Sequence, residues 1–388
     1  MIATLFWIGV FIVFYTYLGY GILLFFLLKI KRIFVKPVIY DLPDPLPEVT
    51  LFIAAYNEAS IVHEKMANCR QLDYPKDKLT IMWITDGTTD NTNELLKEYP
   101  EVTVLYAPER KGKTAALNRG VPYVKTPYVV FTDANTMLNE QAILEIIRQF
   151  SNPKVGCVAG EKRVEIKTEQ GATAGEGIYW KYESTLKKWD YELYSAVGAA
   201  GELFAIRTEL FEQMPNDTLL DDFILSLRIA QKGNVIAYSK DAYAVESASL
   251  NMQEEEKRKV RISAGGLQSI WRLRSLLNIF KYGTLSFQYI SHRVLRWTIT
   301  PIVLFLLLPI NIILACQGSL FYSVLLIAQL LFYLAGYIGY KLEQKQMRNK
   351  LVFIPYYFLF MNINVIRGFF YLKKNKGKGA WEKAKRSN

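Results

Sequence analysis

Three stretches of the chain carry no charged side chain at all: Met1 to Leu28, Trp297 to Cys316 and Leu320 to Tyr340. Each reaches the roughly 20 apolar residues a helix needs to cross a bilayer. The first run is too long for the apolar core of a cleaved leader, and no basic residues precede it, so a retained N-terminal transmembrane helix over 1–28 is expected. A fourth segment, Leu351 to Leu372, is apolar but carries Asn362, Asn364 and Arg367. A further span and a re-entrant or interface-lying helix both fit it, so the C-terminal membrane region, 297–372, holds two to three spans.

Between Pro37 and about Phe280 short apolar runs alternate with amphipathic ones, the pattern of βαβ units on a mostly parallel sheet. Strands are expected near 49–55, 79–85, 102–106, 127–132 and 155–166. Helices are expected near 58–70, 90–98, 113–120, 140–149, 173–190 and 221–232. The linker Pro37 to Pro47 contains four prolines and separates the first membrane helix from a domain over 37–280. Over 253–297 three acids give way to mixed basic and apolar residues, with Trp271, Phe280, Tyr282 and Phe287 near Arg272, Arg274, Lys281 and Arg293. Such a helical region, running straight into a membrane span, suits a headgroup boundary.

Charge changes the picture in one respect. The formal +11 would point to nucleic acid if it were spread over the domain, but it sits at the membrane segments: Lys29, Lys31, Arg32 and Lys36, then Lys341 to Lys350, then the basic tail 373–388. Those patches together exceed the total, so the domain itself is slightly acidic and no nucleic-acid partner is expected. Basic residues beside membrane spans favour the cytoplasmic side and anionic headgroups, which puts the domain in the cytoplasm. The three cysteines, Cys69, Cys157 and Cys316, have no metal-like spacing and cannot all pair, in keeping with a reducing compartment.

The chemistry sits at strand ends. The runs ending in Ala55-Tyr56-Asn57-Glu58, in Thr85-Asp86-Gly87 and in Thr132-Asp133-Ala134-Asn135 send acidic groups to the carboxyl edge of the sheet, where open α/β sheets bind ligands. Asp86 can accept from the N–H of a uracil-like base with Gly87 allowing close approach, or can simply form an Asp-Gly turn, with Asp90 capping the next helix. Arg110 to Thr114 opens a helix with cations, a place for a pyrophosphate or a solvated basic turn. Asp133 facing phosphates is a natural Mg²⁺ or Mn²⁺ ligand. Asp221 and Asp222 open an amphipathic helix, where one is expected to cap while the other reaches the cleft as a general base. Arg258 and Arg261, three apart, share a helical face and can hold a pyrophosphate through forked hydrogen bonds.

In this order these residues resemble a membrane-integrated family 2 glycosyltransferase, the inverting group that contains cellulose, chitin, hyaluronan and poly-N-acetylglucosamine synthases. The likeness covers roughly Glu48 to Trp297. It implies a GT-A-type nucleotide-sugar-binding domain with a mixed, mostly parallel sheet plus transmembrane helices. It also implies donor and nucleotide contacts at Ala55, Tyr56, Asn57, Glu58, Asp86, Lys113, Asp133, Arg258 and Arg261, and a divalent metal, Mg²⁺ or Mn²⁺, on Asp133 and Asn135. The acceptor side falls on Gly201, Glu202, Phe204 and Asp221, and the catalytic base on Asp222. Four departures stand out: Asn135 replaces a metal carboxylate, Asp221 a Glu, Arg258 a Gln, and Ile262 the Trp that stacks on sugar in processive synthases.

The function so implied is inverting transfer of a sugar from a nucleotide diphosphate sugar, UDP-linked, to a membrane lipid or growing glycan in cell-surface polysaccharide or glycolipid assembly. The setting is a bacterial inner or plasma membrane, with other polysaccharide-assembly subunits as possible partners. A processive synthase is the alternative, although few spans are available to build a channel. A non-catalytic, nucleotide-sensing subunit of an export complex is the rival from another class, with Asn135 as its mark. A membrane-bound nucleotidyltransferase would need a second phosphate site, of which the segment around 198–207 gives no sign.

Overall fold

The computed structural model describes residues 1–36, 38, 40–165, 173–247, 249–345, 347 and 349–375; most of the basic tail lies outside them. The first membrane helix, α1 (Ile2–Phe34), is longer than the uncharged run, because Lys29 to Arg32 extend it past the apolar stretch. The strands of the domain are β1 (Val49–Ala55), β2 (Leu79–Asp86), β3 (Val102–Ala107), β4 (Tyr128–Asp133), β5 (Thr136–Leu138), β6 (Val155–Glu165), β7 (Leu203–Arg207) and β8 (Val235–Ser247). Between them run α2 (Val62–Arg70), α3 (Lys113–Gly120), α4 (Ala142–Phe150), α5 (Thr173–Leu193) and α6 (Asp221–Gln231), with α7 (Met252–Arg272) after the last strand. The membrane region follows as α8 (Ile299–Cys316), α9 (Leu320–Gln344) and α10 (Lys350–Lys374).

Among the described residues the sheet has the order β3-β2-β1-β4-β7-β6-β8-β5. Strands β1 to β4 pair parallel, whereas β7 runs antiparallel between β4 and β6. The sheet is therefore mixed and mostly parallel. Strand β1 reads Val-Thr-Leu-Phe-Ile-Ala-Ala because helices cover both its faces, and all its residues but Ala54 are buried. One core layer takes Leu51, Ile53 and Trp83 against α2 and α4, and the other takes Phe52, Phe131 and Phe204 against α3 and α6. Strands β5, β7 and β8 were not foreseen. β7 is a five-residue buried run with no polar alternation, and β5 spans three residues, both below what periodicity resolves.

A buried ionic cluster joins domain to membrane helices. Asp190 of α5 accepts from Tyr20 of α1 at 2.5 Å and contacts His292 Nδ1 at 2.5 Å. Glu183, also on α5, pairs with Arg293 at 2.6 Å and Arg296 at 2.9 Å. Burial alone would raise the Glu183 pKa, but Arg293, His292 and Arg296 hold its carboxyl well below the usual range. Beyond α7 the expected long helix breaks into short turns, leaving Trp271 and Phe280 exposed beside the membrane region, where an interfacial belt would sit.

Four helices among the described residues are long and apolar enough to cross a membrane. Helix α8 leaves the domain and α9 runs back beside it, with Asn311 donating to Gln329 at 3.0 Å and Tyr333 to the Leu304 carbonyl at 3.3 Å. Helix α10 starts where α9 ends, packing on Gly336 and Gly339, where no Cβ would fit. Its far end returns to the domain: Arg367 pairs with Glu256, and Gly368 abuts Ser263 of α7, a Cβ there lying 2.6 Å from Ser263 Cβ. Both ends of α10 thus make contacts with α7 or with the domain-proximal half of α9.

Candidate active site

The carboxyl ends of β1 and β4 open into a cavity of about 780 Å³. Glu58, Lys113, Asp133, Asn135, Gly201, Glu202, Asp221, Asp222, Arg258 and Arg261 all line it, so residues spread over two hundred positions converge on one cavity. Ala55, Tyr56, Asn57 and Asp86 lie at the same sheet edge but outside that lining. Asn57 takes φ +52, a left-handed conformation that Asn tolerates, and its Oδ1 accepts from the Thr89 amide at 2.9 Å. Arg110 places its guanidinium 3.7 Å from the centre of the Tyr56 ring. Asp90 accepts from the amides of Thr92 at 3.0 Å and Ala59 at 3.1 Å, so it ties two helix starts together.

Asp86 is buried, and its Oδ2 accepts from the amides of Lys111 at 2.9 Å and Gly112 at 2.7 Å. It anchors the basic loop while facing a second recess of about 530 Å³ bordered by Glu109, Lys111 and Arg119. Gly87 has φ +65, and a Cβ on it would meet Arg110 at 2.6 Å, so this loop requires glycine. The loop delivers Lys113 to the start of α3, where Nζ donates to Asp133 Oδ1 at 2.6 Å. Burial disfavours the ammonium, but Asp133 and then Asp221 and Asp222 outweigh it and hold its pKa above the usual lysine range.

Gly201 forms the third side of the cavity wall. A Cβ there would lie 3.1 Å from Lys113 Nζ and 3.3 Å from Asp222 Oδ2, so any side chain would press on both groups. Burial pushes the Asp222 carboxyl up to about 7, with neighbouring Asp221 adding to the rise and Lys113 opposing it. That value suits a base working near neutral pH. The expected division of labour between the two aspartates is corrected. The N-cap residue of α6 is Leu220, with no side-chain cap bond, and both carboxylates line the cavity because the helix begins only at Asp221.

Two further placements differ from expectation. Phe204, assigned to the acceptor side, is a core residue: β7 turns its ring inward to stack on Phe131 at 4.7 Å. Arg258 faces the cavity but is held by carboxylates, donating to Glu202 at 3.1 Å with Glu246 and Glu255 each at 3.7 Å. Glu202 also accepts from Lys162 at 2.5 Å, and Lys162 pairs with Glu246. Burial would raise the Glu202 pKa, yet Lys162 and Arg258 hold its carboxyl far below the usual range. Lys162 and Glu246 were missed. Their only signal was charge at inward-facing positions of a strand.

Asp133 and Asn135 offer a carboxylate and an amide oxygen on one wall. Among the described residues no group of three or more His, Cys, Asp or Glu is arranged to hold a metal ion. A hard divalent cation needs only one or two such ligands when substrate phosphates and water supply the rest, so the pair fits Mg²⁺ or Mn²⁺ arriving with a diphosphate.

The family model for Glycosyl transferase family 2 matches residues 50–214, the stretch that carries β1 to β7 with Asp86, Asp133 and Glu202, and stops before Asp222 and Arg261. Residues 50–214 therefore resemble a family 2 glycosyltransferase domain, and the chain joins them to helices apolar enough for a membrane. It is 27% identical over 239 residues to a poly-beta-1,6-N-acetyl-D-glucosamine synthase of Staphylococcus aureus, covering 59% of this chain and 57% of that one. It is 28% identical over 212 residues to a beta-monoglucosyldiacylglycerol synthase of Nostoc, covering 51% and 44%. The chain thus spans about half the length of these curated relatives. In architecture it is similar to a mannosyltransferase, PcManGT, of Pyrobaculum calidifontis solved with GDP-Man and Mn²⁺. The TM-score is 0.71 at 21% identity, over 96% of this chain and 99% of that one, which bears on the fold alone.

Proposed function

We propose that the protein moves a sugar from a nucleotide diphosphate sugar to a hydroxyl of a lipid or glycan, with inversion at the anomeric carbon. The observation that carries this is the placement, in one cavity, of the buried carboxylate of Asp222 across Gly201 from a cationic group, Lys113, bound to the strand-end Asp133. Asp222 takes the proton of the acceptor hydroxyl, whose oxygen attacks the anomeric carbon from the face opposite the diphosphate. The bond to the diphosphate oxygen breaks, and its electron pair leaves with the nucleotide. In this reading Lys113 and Arg261, which both line the cavity, meet the leaving diphosphate, and Glu202, held ionised by Lys162 and Arg258, accepts from a sugar hydroxyl. A divalent cation on Asp133 and Asn135 would neutralise charge on the diphosphate when bound. Tyr56 and Arg110 form a stacking surface near Asp86 for the base, for which UDP is the expected nucleotide.

Only one carboxylate is asked to act on the acceptor, so a single displacement suffices and no covalent intermediate is needed. The domain sits on the cytoplasmic side in this reading, with the basic flanks of the membrane helices beside it. The decisive experiment is Asp222→Asn: sugar transfer falls by about 10²–10⁴, the usual worth of a positioned base, while nucleotide binding and thermal unfolding stay as in the parent. Full activity in the folded variant would refute the assignment.

A further inference from the structure

We propose that the catalytic cavity opens sideways onto the bilayer between α1 and α10, and that a membrane lipid delivers its headgroup hydroxyl to Asp222 through this opening. The proposal rests on the transferase reading above and names its acceptor class. The cavity that holds Asp133 and Asp222 is continuous with a region walled by Leu18 of α1 and by Ile354, Phe358, Met361 and Val365 of α10. Leu18 is 57% and Ile354 55% exposed, so the walls end on the outer faces of two apolar helices, where a bilayer would supply hydrocarbon.

The opening is built rather than left by loose packing. The Tyr17 hydroxyl donates to Asn362 Oδ1 at 2.6 Å, and its ring meets Phe358 edge-on at 4.8 Å, which links α1 to α10 beside the cavity. Asn362, almost wholly buried, also donates to the Phe358 carbonyl at 2.9 Å. These polar groups thus bond to one another, and Leu18, Ile354, Phe358, Met361 and Val365 present an apolar stretch of wall beyond the charged side chains of Arg293 and Arg296. At the catalytic end the lining is Glu58, Asp133, Glu202 and Asp222. One continuous space, polar at one end and apolar at the other, calls for an amphiphile. A threaded glycan would strip water from hydroxyls on every residue and meet aliphatic side chains, at a cost of order 1–3 kcal/mol for each unpaired hydroxyl. In the reaction, the lipid O–H gives its proton to Asp222 and the oxygen bonds to the anomeric carbon as the nucleotide diphosphate departs with the electron pair.

The test uses the full chain in phosphatidylcholine vesicles containing diacylglycerol or a polyprenyl alcohol, with a panel of UDP- and GDP-sugars. Two readouts are followed: sugar recovered on lipid, and nucleotide released. Met361→Trp fills the opening. Leu18→Cys, made with exposed Cys316 replaced by Ser, is labelled with a bulky maleimide, Cys69 and Cys157 being buried. The unlabelled form reports that the fold is intact. Excluding even two methylenes of a tail is worth about tenfold, so transfer to lipid should fall about tenfold or more in Met361→Trp and on labelling, with nucleotide release by hydrolysis kept. Lipid transfer that survives both blocks, or a sugar polymer with no lipid-bound product, would overturn the proposal. Failure of the unsubstituted protein to release nucleotide from any donor would instead bring down the transferase reading beneath it.

Discussion

Lys113→Met tests whether the cavity works as a coupled electrostatic unit. Lys113 Nζ and Asp222 Oδ2 both lie within 3.3 Å of the same point above Gly201. Their separation is therefore no more than 6.4 Å, and at an effective dielectric of about 20–40 the ammonium favours ionised Asp222 by about 1–3 kcal/mol. That is about 1–2 pKa units. Because a third of the Lys113 side chain is open to the cavity, the smaller figure is the one to expect. Asp222 acts as a base only when ionised, so activity is lost as pH falls through its pKa of about 7. Removing the cation raises that pKa, and Asp133, left unpaired, pushes it the same way. The acid limb of kcat/KM should move upward by about one unit, measured from pH 5.5 to 9.5 with the isosteric, uncharged methionine. Maximal kcat should also fall, since the leaving diphosphate loses a cation. A limb that stays near 7, or moves down, would refute the coupling even if activity dropped.

Two further outcomes are expected. Lys162→Met leaves Glu202 and Glu246 buried without their shared cation, and breaking such a pair costs about 3–5 kcal/mol. Thermal unfolding in detergent should register a large loss, and an unchanged midpoint would show the network to be dispensable. Mn²⁺ should tighten nucleoside diphosphate binding to the parent protein by calorimetry and should do so weakly, or not at all, in Asp133→Asn. Equal tightening in both would remove Asp133 from the metal site.

Much of this arrangement was legible because strand ends are local. Ile53, Trp83 and Val130 are buried with short apolar runs around them, so the strands and the carboxylates that end them can be read from period and punctuation alone. Lys113, Asp133 and Asp222 could be listed, but not their convergence, which depends on β7 running antiparallel between β4 and β6. Phe204 went astray for the same reason: a loop-like motif proved to be a buried strand, and alternation turned the ring inward. Leu18 and Tyr17 were invisible as cavity residues because a uniformly apolar helix has no face to distinguish. The pairing of Arg367 with Glu256 of α7 was likewise invisible, because the two residues lie over a hundred positions apart.

Arg258 is where local pattern and tertiary placement diverge most, and its role can be separated from that of Arg261. As one arm of a diphosphate clamp, Arg258 would hold phosphate directly, and Arg258→Gln would weaken a free nucleoside diphosphate and a nucleotide sugar alike. The distances argue otherwise: its guanidinium reaches Glu202 at 3.1 Å and lies 3.7 Å from both Glu246 and Glu255, deep in a wall that is mostly closed to solvent. A cation so engaged orients Glu202 rather than binding phosphate. Loss of one charge-assisted hydrogen bond is worth about 1.5–3 kcal/mol, and it should appear where Glu202 acts, on the sugar. Arg258→Gln is therefore expected to leave affinity for free UDP within about twofold while lowering kcat/KM for the nucleotide sugar by about 10- to 100-fold. Arg261→Gln should weaken both. If the two variants lose free UDP equally, Arg258 contacts the diphosphate after all, and the carboxylate network is a resting arrangement that the substrate displaces.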